Sequence, residues 1–217
     1  MRWGWERLAA LGGIVAVVLW LVSVVVQESS NLPDDDNPFE VLTWFADESN
    51  TILASSFIFM LGSVFFLVFV GALRLRLMQA EGPGAFLTAI AFGAGVAVAI
   101  LTMLVPGPGL AGALAGSDLT PQAAQALVIV DDAFFVAAEL SAALFLLATG
   151  LVILRYGPMP RWLAWVSFLF ALWLLIPPIG WAGLLFGLPL WTIAVAVLLW
   201  MQRADEPVAA RPPEAVS

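Results

Sequence analysis

Residues 52–73 read ILASSFIFMLGSVFFLVFVGAL, an apolar run of 22 residues that holds no charged side chain and stops at Arg74. As a helix it would rise about 33 Å, which matches the hydrocarbon core of a bilayer, about 30 Å thick. The whole chain is 62% hydrophobic, with a mean hydropathy of +1.01. The run therefore predicts a membrane-spanning helix in an all-α polytopic membrane protein.

Apolar runs of this kind recur along the chain, and six of them predict transmembrane helices. The expected spans are 8–26, 52–73, 85–105, 126–156, 162–177 and 181–201. The last two need a tight turn, for which Pro177-Pro178-Ile179-Gly180 is favoured and Gly187-Leu188-Pro189 is the alternative. The chain is thus predicted to form a single six-helix transmembrane domain, residues 1–201, and a disordered cytoplasmic tail, residues 202–217.

The arginines give the predicted orientation. All eight basic residues of the chain are arginines. If the chain crosses the membrane at the six predicted spans, all of them fall on the same side of the membrane: Arg2, Arg7, Arg74, Arg76, Arg155, Arg161, Arg203 and Arg211. Cytoplasmic loops carry the excess of positive charge in membrane proteins. Both termini are therefore expected in the cytoplasm, with the protein in the inner (plasma) membrane.

The composition excludes several function classes. The chain has no Cys and no His, and it also has no Lys. Zinc, haem and iron–sulfur sites, Ser and Cys hydrolases, Schiff-base chemistry and P-loops are therefore not expected, so we predict neither an enzyme nor a cofactor or metal. The net charge of −8 argues against nucleic acid. The expected partner is the lipid bilayer, and the small-residue helix faces suit a homo-oligomer or a membrane partner.

The two longer outer loops carry helix signals. In the first, Asn37-Pro38-Phe39-Glu40 supplies a cap, a proline at the first helical position and a glutamate three residues after the cap. A short amphipathic helix is expected there on the outer membrane surface, with Phe39, Leu42, Phe45 and Ala46 on its apolar face. The second loop is expected to run from Pro106 to Thr120, where Thr120-Pro121 starts the fourth helix outside the membrane, ahead of the fourth span.

An acidic triplet precedes the short helix. Asp34, Asp35 and Asp36 lack the spacing, the glycine and the terminal glutamate of an EF-hand calcium loop. They are predicted to form a solvated outer acidic loop.

Three acids lie in or near the fourth span, where a charge is costly. Asp131 and Asp132 are expected at the outer interface, because Arg155 marks the inner boundary. Glu139 should lie about 6 Å inside the hydrocarbon, with no arginine at its depth, and is expected to be neutral at pH 7 unless water or a cation reaches it. One hypothesis is a proton or cation path through Asp131, Asp132 and Glu139; the alternative is a hydrogen-bonded buried acid.

Three segments resemble a known family. Trp44-Phe45-Ala46-Asp47-Glu48-Ser49-Asn50, Gly71-Ala72-Leu73-Arg74 and Pro160-Arg161-Trp162-Leu163-Ala164-Trp165 are similar to segments of small actinobacterial integral membrane proteins of uncharacterised function. The resemblance covers most of residues 38–201. It implies a six-helix membrane fold and carries no activity and no catalytic residue.

Two functions remain open at this point. One is a small transporter-like or channel-like module for protons, cations or an apolar solute. The other is a non-transporting structural, sensory or accessory subunit that binds a partner protein or lipid. Water access to Glu139 favours the first function, whereas a dry, hydrogen-bonded Glu139 favours the second.

Overall fold

The computed structural model describes residues 5–30, 33, 37–176 and 178–201, and the regular structure in these residues is entirely helical. The predicted acidic loop Asp34, Asp35 and Asp36 and the predicted tail 202–217 lie outside the described residues. The helices are α1 (Trp5–Glu28), α2 (Pro38–Asp47), α3 (Ser49–Glu81), α4 (Phe86–Leu104), α5 (Gly107–Ala115), α6 (Pro121–Tyr156), α7 (Arg161–Leu174) and α8 (Gly180–Met201).

Five segments of the described chain are long and apolar enough to cross a membrane. They are Leu8–Glu28, Ser49–Glu81, Phe86–Asp118, Pro121–Tyr156 and Gly180–Met201. The helices confirm the all-α prediction, and these five apolar segments suggest a multi-pass membrane protein. The remaining apolar helix, α7, has 14 residues and a length of about 21 Å, less than the thickness of a hydrocarbon core. The count of six spans is therefore not established by helix length.

The long helices pack as antiparallel neighbours. Helix α1 contacts α3 and α8, α3 contacts α4, and α6 lies between α4 and α7. Glycines permit the closest approaches: Gly62 of α3 lies against the Trp20 ring of α1, and Gly95 of α4 lies against Phe145 of α6. Such small residues let helix backbones approach closely where lipid supplies no hydrophobic driving force.

The alternating chain direction places the described arginine side chains at one end of the bundle, together with Glu81, and most of the described acids at the other. The arginine side chains that the structure describes lie at one end, here called the arginine end: Arg74, Arg76, Arg155 and Arg161. The opposite end, here called the acidic end, carries Glu28, Glu40, Asp47, Glu48, Asp118, Asp131 and Asp132.

Helix α2 forms where its sequence signals predicted a helix. The Asn37 side chain accepts a hydrogen bond from the Phe39 amide at 3.2 Å and donates to the Glu40 carboxylate at 2.8 Å. The side of α2 that packs on the bundle includes only part of the expected apolar face. Val41 and Phe45 are buried, whereas Phe39 is 69% exposed and Ala46 is also exposed.

The reason lies in the second predicted loop, which the structure shows to be largely helical. Helix α5 occupies residues that the sequence assigned to a loop. Gly112 of α5 has no side chain, so the Phe45 ring packs directly against its backbone. A Cβ atom on Gly112 would lie 2.6 Å from the ring. This contact selects the Val41–Phe45 side of α2 as the buried side, and together α2 and α5 cover the acidic end of the bundle.

The turn before α8 lies at Pro178-Ile179, as the favoured alternative predicts; Pro177 itself lies outside the described residues. The competing segment Gly187-Leu188-Pro189 is inside α8, directly after a π-helical turn at Gly183–Gly187. Pro189 has no amide hydrogen for the carbonyl four residues earlier, and its ring crowds that carbonyl. A locally widened turn accommodates such a proline within a continuous helix.

Candidate functional site

Polar side chains join α1 to α3 near the acidic end. The Ser23 hydroxyl donates to the Ser55 carbonyl at 2.8 Å, and the Ser55 hydroxyl donates to Oε1 of Gln27. The Trp44 indole of α2 donates to the Ser30 hydroxyl at 3.2 Å. These hydrogen bonds hold the ends of α1, α2 and α3 at fixed separations in a region that the sequence predicts to lie close to the membrane boundary.

A cavity of about 320 Å³ lies among these helices, α5 and α6, and opens at the acidic end. Its polar lining comes from α1, α3 and α6: Ser23, Gln27, Ser55, Ser56, Asp131 and Asp132. Its apolar lining includes Trp44, Phe45 and Phe59. A volume above about 300 Å³ with a few convergent polar groups is typical of a small-molecule site. We call it the acidic cavity.

Both aspartates belong to the wall of the acidic cavity. Asp131 is half-buried and Asp132 is exposed at the rim. None of the described arginine side chains belongs to this lining. The two carboxyl groups in this wall favour a positively charged occupant.

A buried hydroxyl completes the lining. Ser56 is 4% exposed, and none of the hydrogen bonds among the described residues involves its side chain. The carbonyl of Ile52, which a helical serine at this position would usually use, lies 3.1 Å from the Ser55 oxygen and makes no hydrogen bond with the Ser56 side chain. The Ser56 oxygen is thus left to accept a hydrogen bond from a molecule in the cavity.

A smaller apolar pocket of about 40 Å³ adjoins the acidic cavity. The two share Val24, Phe59 and Val105 as lining residues. Leu184, Leu188 and Pro189 close the small pocket on the α8 side, around the π-helical turn. The wide turn of α8 therefore helps to shape the inner end of the site.

Aromatic side chains separate the small pocket from the arginine end. Trp20 lines the pocket and contacts Phe66, with ring centroids 5.3 Å apart. Phe66 contacts Phe145 at 6.1 Å, and Phe145 contacts Trp191 at 5.3 Å, both edge to face. These rings are buried and form a layer with the dense packing typical of protein interiors. The cavity is thus open on one side of this aromatic layer only.

Glu139 lies in a different place from the two aspartates. It is 6% exposed and does not line the acidic cavity or the small pocket. Its carboxyl group packs against Gly180, where a Cβ atom would lie 3.0 Å from Oε2. Among the described residues no hydrogen bond involves the Glu139 side chain, so the predicted alternative of a hydrogen-bonded buried acid finds no partner there.

The amino end of α8 is the polar feature next to Glu139. Because α7 ends at Leu174, the chain turns back early, and α8 begins about 10 Å deeper along α6 than Asp132. A helix amino end carries partial positive charge, which stabilises a carboxylate in its vicinity. The structure thus places Glu139 beside the positive end of a helix dipole and not beside another acid.

The sequence singled out the three acids of α6 but missed the cavity that two of them line. In the sequence Ser56 is one of several hydroxyl residues in an apolar run, and no pattern shows which of them line a cavity. Among the described residues no group of three His, Cys, Asp or Glu side chains is suited to hold a metal ion. The arrangement can bind a cation by charge and hydrogen bonds, and offers an apolar extension.

No protein-family model, no curated protein and no solved structure matches the chain. The resemblance to the actinobacterial membrane proteins therefore stays a prediction.

Proposed function

We propose that this multi-pass membrane protein is a small transporter-like module that takes up a cation through the acidic cavity. The observation that carries the proposal is the one-sided cavity, with two aspartates and a buried, free hydroxyl in its lining. We further propose that the bundle crosses the inner (plasma) membrane six times, with the arginine end in the cytoplasm and α2 at the outer surface. It acts without enzymatic chemistry.

The aromatic layer fits a transporter that is closed toward the arginine end. Below this layer the interior again holds polar groups: the Trp191 indole donates to the Ser167 hydroxyl at 2.8 Å. The hydroxyls of Thr149 and Thr192 are buried without a partner in the described part of the chain. A change in the packing of the rings would connect these hydroxyls to the cavity, as alternating access requires.

The experiment is cation flux in proteoliposomes under an imposed membrane potential. Protons, sodium, potassium and alkylammonium ions are compared for the wild type, Asp131→Asn and Asp132→Asn. Flux well above that of empty liposomes and lower in both variants supports the proposal, because each substitution removes a charge from the cavity. Asp118→Asn is the matched control, since Asp118 is an exposed acid at the same end of the bundle and outside the cavity lining.

Glu139→Gln tests how far the path extends. If the path runs through all three acids, flux falls in this variant as well as in the aspartate variants. Unchanged flux in Glu139→Gln restricts the path to the acidic cavity, consistent with the place of Glu139 beside Gly180.

The second candidate function is a non-transporting sensory or accessory subunit. It is favoured by the continuous aromatic layer and by the position of Glu139 outside both pockets. In that case the folded wild-type protein carries no cation above empty liposomes, while the cavity still binds its ligand. Flux and binding measured on the same preparation therefore separate the two functions.

A further inference from the structure

We propose that the occupant of the acidic cavity is an amphipathic organic cation, an ammonium group that carries a short alkyl or aryl chain. The inference rests on the proposed function for the choice of site, and it adds the chemical class of the ligand.

The wall of the cavity is suited to an ammonium head group. Asp132 at the rim and Asp131 deeper in the wall supply negative charge. Ser56 supplies a hydrogen-bond acceptor that is 4% exposed and has no partner among the described residues. An ammonium ion carries only donors, and this set of oxygens matches them. The aromatic rings of Trp44 and Phe59 belong to the same lining, and aromatic rings attract organic ammonium ions by cation–π interaction.

The adjoining small pocket is suited to the end of the apolar chain, because its volume of about 40 Å³ has room for little more than one water. It shares Val24, Phe59 and Val105 with the cavity, and its lining also includes Trp20, Phe135 and Leu188. Thr102 is the one hydroxyl residue in this lining, and its hydroxyl donates to the Val98 carbonyl at 2.8 Å. The small pocket therefore offers apolar contact and little hydrogen bonding, which a hydrated inorganic ion cannot use.

The size of the cavity also disfavours an inorganic ion as the intended ligand. At about 30 Å³ for each water, a cavity of about 320 Å³ holds about ten waters, far more than the space of one dehydrated ion. A metal ion also needs several converging ligands at short distance, and the described residues hold no such group. An organic cation fills the volume, uses the charge and places its chain on the apolar wall.

The test is calorimetric binding to the full chain in nanodiscs of zwitterionic lipid. The probes are methylammonium, butylammonium and hexylammonium, with 1-hexanol as the uncharged analogue and sodium chloride as the inorganic cation. We expect affinity to rise along the ammonium series by about fourfold for each methylene that the small pocket buries. Empty nanodiscs measure the partitioning of each probe into lipid, which is subtracted.

Variants assign the binding to the cavity. Asp132→Asn should weaken hexylammonium binding by about tenfold or more, and Ser56→Ala should weaken it as well, because each removes a partner of the head group. Phe59→Ala should flatten the dependence on chain length and leave methylammonium binding nearly unchanged. Asp118→Asn, the matched exposed acid, should bind like the wild type. Asp132 is exposed, so its substitution leaves the fold intact.

Several results would overturn the inference. Equal affinity for 1-hexanol would show that charge plays no part, and sodium competing at equal concentration would show an inorganic cation site. Hexylammonium binding that survives Asp132→Asn and Ser56→Ala unchanged would place the ligand elsewhere. Ammonium binding without any flux would keep this inference and remove transport, whereas proton flux without ammonium binding would keep transport and remove this inference.

Discussion

Gly180 is the residue at which the α7–α8 turn meets Glu139. A Cβ atom at this position would lie 2.9 Å from the Leu174 carbonyl and 3.0 Å from Oε2 of Glu139. Neither of these oxygen atoms can easily move away from an added Cβ atom, because the carbonyl belongs to the end of α7 and the Glu139 side chain is buried. The turn therefore closes only over a residue without a side chain.

We expect Gly180→Ala to lower the free energy of unfolding by about 1–3 kcal/mol, the usual cost of forcing an added carbon into a packed site. The cost should be smaller in a Glu139→Ala background, because one of the two close contacts is then absent. A double-mutant cycle measured by unfolding in mixed detergent micelles gives the coupling directly.

Gly93→Ala is the control for this cycle. Gly93 lies in α4 with nothing within 4 Å of an added Cβ, so alanine there should be neutral or slightly stabilising through its better helix propensity. If Gly180→Ala unfolds like Gly93→Ala, the Glu139 carboxyl is free to move away. The close packing of the Glu139 carboxyl group against Gly180 would then not constrain this position.

Among the helices, α4 begins in an unusual way. The turn before it contains Gly82 and Gly84 at φ of 81° and 92°, and Ala85 at the cap has φ of 30° and no capping side chain. The last residue of α3 supplies the cap instead. The Glu81 carboxylate accepts hydrogen bonds from the Leu87 amide at 2.9 Å, the Thr88 amide at 2.7 Å and the Thr88 hydroxyl at 2.6 Å.

We expect Glu81→Ala to cost about 0.5–2 kcal/mol of stability, the usual loss when a helix loses its capping group. Glu81→Gln should cost less, because the amide oxygen can still accept from α4, although without the attraction of a charge to the helix amino end. Thermal unfolding in nanodiscs measures both variants. Asp47→Ala, which removes an exposed acid at the other end of the bundle, serves as control and should unfold like the wild type.

Local signals predicted the helix ends well, whereas contacts distant in sequence decided what the sequence alone did not show. Asn37 and Glu40 are three residues apart, so the start of α2 could be predicted. The buried side of α2 depends on Gly112, about 70 residues away in the chain, and no periodicity in α2 itself reports that contact. The Glu81 cap joins two helices across a turn, an arrangement for which the chain carries no recognised motif.

At the scale of the whole molecule, charge separation could be predicted and the cavity could not. Arginines occur in every second segment between the predicted spans, so the positions of the spans along the chain were enough to predict that the arginines share one end of the bundle. The acidic cavity forms where α1, α3 and α6 diverge under α2 and α5, and its volume depends on side chains from five helices. The sequence located Asp131 and Asp132 by depth, but the separation of Glu139 from them follows from the shortness of α7.

The proposed orientation makes the last prediction, and the absence of cysteine from the sequence makes it simple to test, because each introduced thiol is unique. Ser117 lies exposed beyond α5 at the acidic end, and Pro83 lies exposed in the α3–α4 turn at the arginine end. If positive charge faces the cytoplasm, a membrane-impermeant maleimide should label Ser117→Cys in intact host cells and Pro83→Cys only after permeabilisation. Labelling in the opposite order would invert the molecule and turn the acidic cavity toward the cytoplasm.

Ile179→Cys extends the same experiment to the short α7. Ile179 is 46% exposed in the turn between α7 and α8, and this turn lies at the depth of Glu139 and not level with Asp132. If α7 and α8 cross the membrane as a hairpin, the reagent should reach this exposed turn from the Ser117 side, more slowly than it reaches Ser117 itself. Labelling only from the Pro83 side would instead make α7 and α8 a re-entrant pair, and the number of full crossings would fall from six to four.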